Sequence, residues 1–532
     1  MFLVIEWNNK STFVDARNPN VELQEGSIDS IQAPPTPSAF KEQLPSLETK
    51  NIEQSIQRAT ARVKTTSLSN DVLSLSIDSV GGDIVGATLL NYYLSKGDTE
   101  NKIELMFTKN NAFHRLQSGL LSTSGKEEPN HLQEYEYKSR TRNSVSFVWT
   151  SNNNISVLKT YTLKPGSYLV SVSYKIDNRG IESETHIPYY QLLKDNIEQE
   201  RSMFDVESYS FDGGIIYDGD SYEKQYADDL IDAPYSKNHM GGWFANIRHH
   251  FVVALLPDSE TEHRYEASHD TTLNLNKVSA ISNLGITTMP GQTKSTSFEI
   301  FIGPKLQSEL TKARDGLEVS VDFGRLSFLA KPMFWALNTS HGFLGNWGLA
   351  IIFVTFMIKL AFYRLQETSS KSMAKMRELA PRLKALNERY KDDKTALGQA
   401  QMEIYKKEGV NPMAGCLPLL IQIPFFIAFY WVLLESVEIR QAPFYLWLDD
   451  LSSRDPYYIL PLLMGAVMFF QQKANPAPAD PIQEKVFMFM PVMFTLLFAW
   501  FPSGLVLYWV TNSLLAFAQQ WNVNRKLGVN KI

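Results

Sequence analysis

The side chains that could carry out acid–base chemistry in this chain are its histidines and carboxylates. A histidine beside a glutamate can exchange protons near neutral pH. No pair of them stands at the spacing of a known catalytic motif, so scattered surface histidines are the simpler interpretation. The phosphate-cradling pattern G-x-x-x-x-G-K-[ST] is also absent, which predicts no nucleotide-driven motor. The histidines considered are His114, His131, His186, His249, His250, His263 and His269.

Cysteine and charge content restrict the possible functions further. The only cysteine, Cys416, excludes a disulfide scaffold and any multi-cysteine metal centre. With 51 basic and 57 acidic residues among 532, the net charge of −6 argues against a general nucleic-acid binder. We therefore expect no metal, no cofactor and no nucleic-acid specificity. The charge is also uneven: residues 359–532 carry 19 Lys/Arg and 14 Asp/Glu, net +5, which leaves 32 and 43, net −11, for residues 1–358.

Lys359 is the one charged residue in the apolar run 342–363. A lysine inside a bilayer costs about 2.5–3.5 kcal/mol on insertion scales, so it requires water or polar partners. Thr355, Gln422 and Asn512 lie in three different apolar runs and are candidate partners. Alternatively, Lys359 lies about 7.5 Å along a helix axis from Arg364 and could extend its ammonium group to the membrane interface. The residues alone leave both interpretations open.

Five apolar runs in the second half predict membrane spans. A helix needs about 20 apolar residues to cross the hydrocarbon core. The last three runs, 457–470, 486–501 and 504–518, reach only about 21–24 Å at about 1.5 Å per residue. They predict a locally thinned bilayer. Interfacial aromatic residues such as Trp347 and Trp500 favour spans over buried helices of a large soluble core. The predicted spans are 342–363, 413–436, 457–471, 486–501 and 502–520.

Loop charge predicts the orientation of these spans. Segment 365–412 contains ten Lys/Arg, whereas loop 438–456 has only Arg440 and Arg454 against four acidic residues. The positive-inside rule places the first loop in the cytoplasm and the second outside. The segments predicted inside are 364–412, 472–485 and 521–532, and those predicted outside are 437–456 and 1–341.

The exported half is predicted to be an antiparallel β-sandwich over residues 70–325. Leu73, Leu75 and Ile77 alternate with polar residues, as in a half-buried strand, and turn signals separate such segments. Residues 1–69 are predicted to be an N-terminal remnant and a flexible tether, because residues 16–69 are polar and contain a proline-rich stretch. Residues 326–341 predict an amphipathic helix in the membrane surface, with Leu326, Leu329, Met333 and Leu337 on one face; a linker helix packed on the sandwich is the alternative.

Several long blocks of the membrane half are distinctive. They are HGFLGNWGLAIIFVTF (341–356), SMAKMRELAPRLKAL (372–386), NPMAGCLPLLIQIPFFIAFYWVL (411–433), VEIRQAPFYLWLDDLSSRDPYYILPLLMG (437–465) and FPSGLVLYWVTN (501–512). The exported half contains the shorter blocks GGDIVGATL (81–89) and GGW (241–243). The blocks of the membrane half resemble the YidC family, the bacterial inner-membrane protein insertases of the YidC/Oxa/Alb group, and those of the exported half resemble its large periplasmic domain more weakly.

The resemblance implies a fold and a site. The fold is a membrane α-helical core of five spans with a mutarotase-like exported sandwich and a cytoplasmic helical hairpin at 364–412. The core contains a hydrophilic groove, open to the cytoplasm and to lipid, into which Lys359 projects. Substrate contact is implied on spans 413–436 and 486–501, although helix packing is the plainer role for each residue. The implied groove residues are Lys359, Thr355, Gln422, Asn512 and Arg364, and the implied substrate contacts are Ile421, Phe425, Met493, Phe494 and Trp509.

Three features depart from the family pattern. Lys359 stands where the family usually has Arg, so a planar bidentate contact is lost. Arg364 stands where Pro is common, which predicts the loss of a kink and a second cation near the groove mouth. Only residues 1–5 are apolar where the family begins with a membrane anchor, so we expect the true start to lie upstream. The alternative is that the first core span exports the large domain unaided.

The predicted function is a non-enzymatic insertase and chaperone for nascent membrane proteins. It would act in the lipid bilayer of the inner membrane of a Gram-negative bacterium, alone or with the Sec translocon. The basic hairpin would meet the ribosome or targeting factors, or simply anionic lipid. Two alternatives remain: a channel or transporter that uses Lys359 as its site, and an envelope sugar-binding or isomerase-like domain on a membrane anchor.

Overall fold

The computed structural model describes residues 64–109, 112–123, 127–196, 210–390, 393–410, 417–474 and 481–526. The predicted tether as far as residue 63, Cys416 and the end of the C-terminal tail lie outside these residues. All structural statements below concern the described part of the chain.

The half of the chain that is predicted to be exported, called the exported half below, contains antiparallel strands. The first sheet has the order β1-β2-β3-β4-β5-β10-β17-β16-β13, with β18 paired to β10, and the second has the order β12-β11-β14-β15-β19-β9-β8-β7-β6. The strands are β1 (Thr65–Ser69), β2 (Leu73–Asp78), β3 (Ile84–Tyr93), β4 (Lys102–Lys109), β5 (Ala112–Ser122), β6 (Glu136–Arg140), β7 (Ser144–Thr150), β8 (Ile155–Leu163), β9 (Leu169–Asn178), β10 (Glu184–Asp195), β11 (Asp212–Tyr217), β12 (Tyr222–Gln225), β13 (Tyr235–Met240), β14 (Trp243–Arg248), β15 (Phe251–Leu256), β16 (Glu262–Asp270), β17 (Leu275–Ser282), β18 (Ile286–Thr288) and β19 (Thr293–Pro304).

The two sheets pack face to face around one apolar core, which confirms the predicted sandwich. Strand β8 alternates strictly between buried and half-buried residues, as expected for a strand with one face toward the core. Across the core, the rings of Tyr190 on β10 and Phe298 on β19 lie 4.4 Å apart. The predicted boundary at residue 70 is wrong, because β1 begins at Thr65 and pairs with β2 through the tight turn at Asn70.

The described chain also contains α-helices, joined by loops. They are α1 (Ala227–Asp232), α2 (Gln307–Ala313), α3 (Ser327–Leu344), α4 (Trp347–Ala361), α5 (Tyr363–Arg389), α6 (Lys394–Glu408), α7 (Leu417–Glu435), α8 (Ile459–Ala474), α9 (Pro481–Phe498) and α10 (Ser503–Lys526).

Helix α3 buries one face and exposes another. Met333 and Leu337 pack in the core, as the spacing predicts, whereas Phe328 and Trp335 are exposed on the opposite side. A linker helix packed only on the sandwich would not need large apolar side chains on its outer face. The arrangement fits an interfacial helix with one face on the protein and the other available to lipid.

Within the described residues, none of the helices taken singly is both long enough and apolar enough to cross a membrane. The pair Trp347–Ala361 and Tyr363–Met376, bent by 65° at the break between them, meets both criteria together. The five-span arrangement therefore stays a prediction.

The 65° bend contradicts the expected loss of a kink at Arg364. The chain leaves helical geometry at Phe362, and the side-chain amide of Gln519 on α10 donates to the carbonyl oxygen of Tyr363 at 2.9 Å. A side-chain contact of this kind can support a bend without proline.

Helices α5 and α6 contact each other through a small apolar cluster. Leu379, Leu383 and Val410 are its buried members, and Arg382 pairs with Glu408 at 2.9 Å. Their cytoplasmic placement as a hairpin stays a prediction.

The sandwich is anchored on the C-terminal end of α7. Lys305, which directly follows β19, forms a buried ion pair with Glu435 at 3.0 Å. His249 and His250, stacked at 3.7 Å, each place Nε2 2.9 Å from the carbonyl oxygen of Leu434. We call Lys305, Glu435 and this histidine pair the α7 clamp. It joins the exported domain directly to a helix that carries residues of the candidate site.

Candidate functional site

A small cavity lies where α4, α5, α7 and α10 meet. Its volume, counted as the space that the centres of water molecules can occupy, is about 40 Å³, which is enough for a few waters. We call it the Lys359 cavity. Its described lining residues are Ile358, Lys359, Phe362, Leu365, Gln366, Ile421, Gln422, Phe425, Tyr508 and Asn512.

Three of the five predicted groove residues meet at this cavity. Lys359 comes from the last turn of α4, Gln422 from α7 and Asn512 from α10. Among the described lining residues, Lys359 is the only one with a basic or acidic side chain. An ammonium group in a largely apolar cavity needs polar neighbours. The side-chain amides of Gln422 and Asn512 are the polar groups predicted from the sequence as partners of Lys359.

Helix geometry explains how the sequence brings these groups together. Phe362 and Gln366 follow Lys359 at three and seven residues, so they lie on the same side across the helix break. Tyr508 and Asn512 are four residues apart on α10 and share one face. The edge-to-face contact of Phe362 with Phe425, with ring centres 5.3 Å apart, closes the apolar side of the cavity.

Thr355 and Arg364 lie elsewhere. Thr355 is 1% exposed, and its hydroxyl donates to the Ile351 carbonyl oxygen at 2.6 Å within α4. The hydroxyl is therefore engaged by its own helix one turn from Lys359. Arg364 is exposed just beyond the bend and is not among the described lining residues of the cavity.

The predicted substrate contacts divide into two groups. Ile421 and Phe425 line the Lys359 cavity. Phe494 and Trp509 stack with ring centres 6.2 Å apart, in an aromatic cluster that also includes Phe426 and Phe498. Met493 is half-buried beside them on α9. The second group is thus packed between helices, which is the plainer role considered for it above.

Sequence reasoning missed two polar lining residues, Gln366 and Tyr508. Both could have been found from spacing alone. Gln366 lies two helical turns after Lys359, and Tyr508 lies one turn before Asn512 on the same helix face. The charge pattern places Gln366 in segment 364–412, predicted to be cytoplasmic, which separates it from the apolar run that contains Lys359.

The histidines of the sandwich are not the surface residues that the sequence suggested. His114, His131, His186, His250 and His263 are all buried. Burial, reinforced for His131 by the nearby Lys159 charge, lowers the pKa of His114 and of His131 to about 3. Such groups stay neutral at physiological pH and form internal hydrogen bonds, as in the contact of His131 Nδ1 with the Tyr189 hydroxyl at 2.6 Å.

Within the described ranges, no group of three or more His, Cys, Asp or Glu is arranged to hold a metal ion.

Comparison with family models gives two matches that together span most of the chain. The model described as "YidC periplasmic domain" matches residues 65–336, and that described as "60Kd inner membrane protein" matches residues 339–530. The division between them falls within α3, at the end of the exported half.

Curated relatives match along nearly the whole chain. The membrane protein insertase YidC of Methylococcus capsulatus is 42% identical over 495 residues, which cover 91% of this chain and 89% of the relative. The membrane protein insertase YidC of Thioalkalivibrio sulfidiphilus is 40% identical, and the match covers 99% of this chain and 96% of the relative.

Among solved structures, an active YidC insertase is 17% identical with a TM-score of 0.39, and the match covers 89% of this chain and 98% of the solved chain. A galactose mutarotase related enzyme from Lactobacillus acidophilus is 10% identical with a TM-score of 0.33, covering 45% and 97%.

Proposed function

Since the chain belongs to the YidC family of membrane protein insertases, we propose that it receives the polar part of an incoming membrane segment at the Lys359 cavity. The single observation that supports this site is the convergence of Lys359, Gln422 and Asn512 from three helices on one small cavity. A polar or acidic group that enters apolar surroundings loses its hydration, and a fixed positive charge offsets part of that cost.

The apolar part of the segment would move along exposed apolar side chains beside the cavity. Leu420, Ile423 and Ile427 are exposed on α7, and Val492 and Leu496 are exposed on α9. Exposed apolar rows of this kind are favourable only against lipid or another apolar helix. Together with the cavity they offer an amphipathic substrate one polar and one apolar environment side by side.

The arrangement in the membrane belongs to the same proposal. Five spans would hold the cavity within the inner membrane, with the sandwich in the periplasm and α5 and α6 as a basic cytoplasmic hairpin. The substrates would be nascent membrane proteins, and the Sec translocon and the ribosome or targeting factors would be partners. The charge difference between the two halves of the chain supports this orientation.

The test is to compare Lys359→Arg with Lys359→Ala in an insertion assay. The substrate is a single-span protein with an acidic flank, supplied to inner-membrane vesicles that contain the variant as their only insertase. We expect Arg to keep insertion, because it keeps the charge, and Ala to reduce it strongly. A second substrate with an uncharged flank should be much less affected by Ala.

The matched control is Lys331→Ala. Lys331 is an exposed lysine on α3, so its loss changes the charge near the membrane but not at the cavity. If Lys359→Ala inserts the acidic substrate as well as the unchanged protein does, the charge mechanism is wrong. Ion conductance or solute uptake that depends on Lys359 would instead favour the channel or transporter alternative.

A further inference from the structure

A second and larger cavity lies between the sandwich and the C-terminal end of α7. Its volume is about 810 Å³, within the range of cavities that hold organic ligands. The sandwich and the segment leading into α3 form one wall, and Ile427, Trp431 and Glu435 of α7 form another. We call it the α7-end cavity. Of the predicted site residues, none is among its described lining residues.

An apolar row on α7 leads into this cavity. Leu420, Ile423 and Ile427 are exposed at the three-to-four spacing of one helix face, and Trp431 continues that face. Ile427 and Trp431 also line the α7-end cavity, so the row and the cavity are continuous. On the adjacent face of the same helix lie Ile421 and Phe425 of the Lys359 cavity. A segment that leaves the Lys359 cavity along α7 is therefore led toward the α7-end cavity.

The lining of the α7-end cavity combines apolar surface with polar groups that could bind a peptide. Ser320 is 1% exposed, and its Oγ has no hydrogen-bond partner among the residues that the structure describes. A buried hydroxyl without a partner is costly and is satisfied when a ligand supplies a donor or acceptor. The hydroxyl of Tyr226 and the carboxylate of Asp228, both exposed, lie at the rim. These groups suit the amides and carbonyls of an extended peptide.

Charge distinguishes a peptide from a lipid headgroup. Lys224 is paired with Asp322 at 2.6 Å, and Lys305 is paired with Glu435 at 3.0 Å. A phosphate needs cations that are not already bound to carboxylates. These two lysines are held by acidic partners, and Arg325, the third basic residue of the described lining, is also engaged. The described lining therefore offers a phosphate-bearing headgroup no unengaged cation.

We propose that the α7-end cavity holds the short polar flank, on the exported side, of a membrane segment that leaves the Lys359 cavity along α7. This inference rests on the proposed insertase function and adds a second binding site for the same substrate. The apolar part of the segment lies along Leu420, Ile423 and Ile427, while its flank lies under the sandwich. The size of the cavity limits the occupant to a flank of a few residues.

The experiment is site-specific photo-cross-linking in the full-length protein in inner-membrane vesicles. The probe is a single-span nascent chain, arrested on the ribosome, with a labelled, short polar flank on the exported side. Tyr226→benzoylphenylalanine places the reactive group at the rim of the cavity, where the side chain is 48% exposed. Tyr137→benzoylphenylalanine is the matched control, because Tyr137 is 50% exposed on the edge strand β6 of the same domain.

The inference predicts a strong adduct with the labelled flank at Tyr226 and none at Tyr137. An apolar flank of equal length should lose the Tyr226 adduct. A third cross-linker at Phe425 reports the Lys359 cavity separately. Adducts at Phe425 with none at Tyr226, or Tyr226 adducts only to lipid or within the chain itself, overturn the inference and leave the proposed function standing. If adducts are absent at Phe425 as well as at Tyr226, both the inference and the proposed function are overturned.

Discussion

At the scale of single residues, burial decides the charge state of the histidines in the sandwich. Burial lowers the pKa of His114 and His131 to about 3 and that of His186 to about 4, against about 6.5 in an unfolded chain. At pH values between the folded-state pKa and the unfolded-state pKa, the unfolded state binds more protons than the folded state. Their contribution to stability is therefore fully present above pH 6.5 and is lost as the pH falls toward the folded values.

Asp83 acts in the opposite direction. Burial raises the pKa of its carboxyl to about 7, against the attraction of Lys159, so the folded state holds this proton more tightly than the unfolded state. Its contribution is present at low pH and is lost as the pH rises from about 4 to 7. Burial also lowers the pKa of His250 and of His263, and it raises the pKa of Asp78 and of Asp195. The histidines with a lowered pKa remain more numerous than the carboxyls with a raised pKa, so together these groups favour the folded sandwich at neutral pH.

We predict that the thermal unfolding midpoint of the sandwich falls as the pH is lowered from 7 to 5. Each group that titrates contributes a slope of about 1.4 kcal/mol per pH unit at most. His131→Gln keeps a polar side chain near the Tyr189 hydroxyl but removes the titrating group, so the midpoint should depend less steeply on pH. Near-ultraviolet circular dichroism of the purified protein in detergent follows the transition. An unchanged pH slope in a folded His131→Gln protein would contradict the argument.

At the scale of elements, the α7 clamp fixes the end of one helix to the exported domain. Lys305 and Glu435 are both buried, with side chains 2% and 6% exposed, and Glu435 also accepts a hydrogen bond from the Ser210 hydroxyl at 2.8 Å. Removing one partner of a buried pair leaves an uncompensated charge, at a cost of about 3–5 kcal/mol. Because α7 also carries Gln422, Ile421 and Phe425, the clamp couples the sandwich to the Lys359 cavity.

We predict that Lys305→Met lowers stability strongly, by about 3–5 kcal/mol. The double variant Lys305→Met with Glu435→Gln should recover much of the loss, because it removes the unpaired charge and keeps an acceptor for Ser210. Lys237→Met is the matched control: it breaks the exposed Lys237–Glu223 pair, also in the sandwich, which is worth about 0–1 kcal/mol. The measurement is thermal unfolding of the unchanged protein and the three variants. If Lys305→Met alone is as stable as the unchanged protein, the α7 clamp does not contribute to stability.

The sequence predicts elements well where one periodicity decides them. The strict alternation around Leu73 and Leu75 predicted β2. Gln422 and Asn512, candidates because they are polar residues in separate apolar runs, line one cavity with Lys359, whereas Thr355 and Arg364 do not. Prediction from the sequence failed where contacts between residues distant in sequence determine the structure. The bend at Phe362 is accompanied by a hydrogen bond from Gln519, more than 150 residues away, to the carbonyl oxygen of Tyr363, and the burial of the histidines depends on pairing between strands remote in sequence. No local pattern contains that information.

At the scale of the whole molecule, the Lys359 cavity and the sandwich are separable in sequence but joined in space. All described lining residues of the Lys359 cavity lie between Ile358 and Asn512, on helices that follow the exported half. The apolar core between the two sheets of the sandwich is continuous with the buried apolar residues of the helical half. The sandwich contacts the helical half at the α7 clamp and along the loop that follows α7, for example where Arg440 donates to the carbonyl oxygen of Tyr93 at 2.8 Å.

We predict that deleting the sandwich from Thr65 to Leu317 leaves membrane protein insertion largely intact. The deletion removes Lys305 together with the walls that bury Glu435, so the carboxylate returns to water and no unpaired buried charge remains. Deletion should therefore disturb α7 less than the single change Lys305→Met does, although it removes far more of the protein. The measurement is insertion of an acidic-flanked single-span substrate into vesicles containing equal amounts of each variant. Loss of insertion by a stable deletion protein would place an essential part of the activity in the exported domain, and would favour the alternative that function resides there.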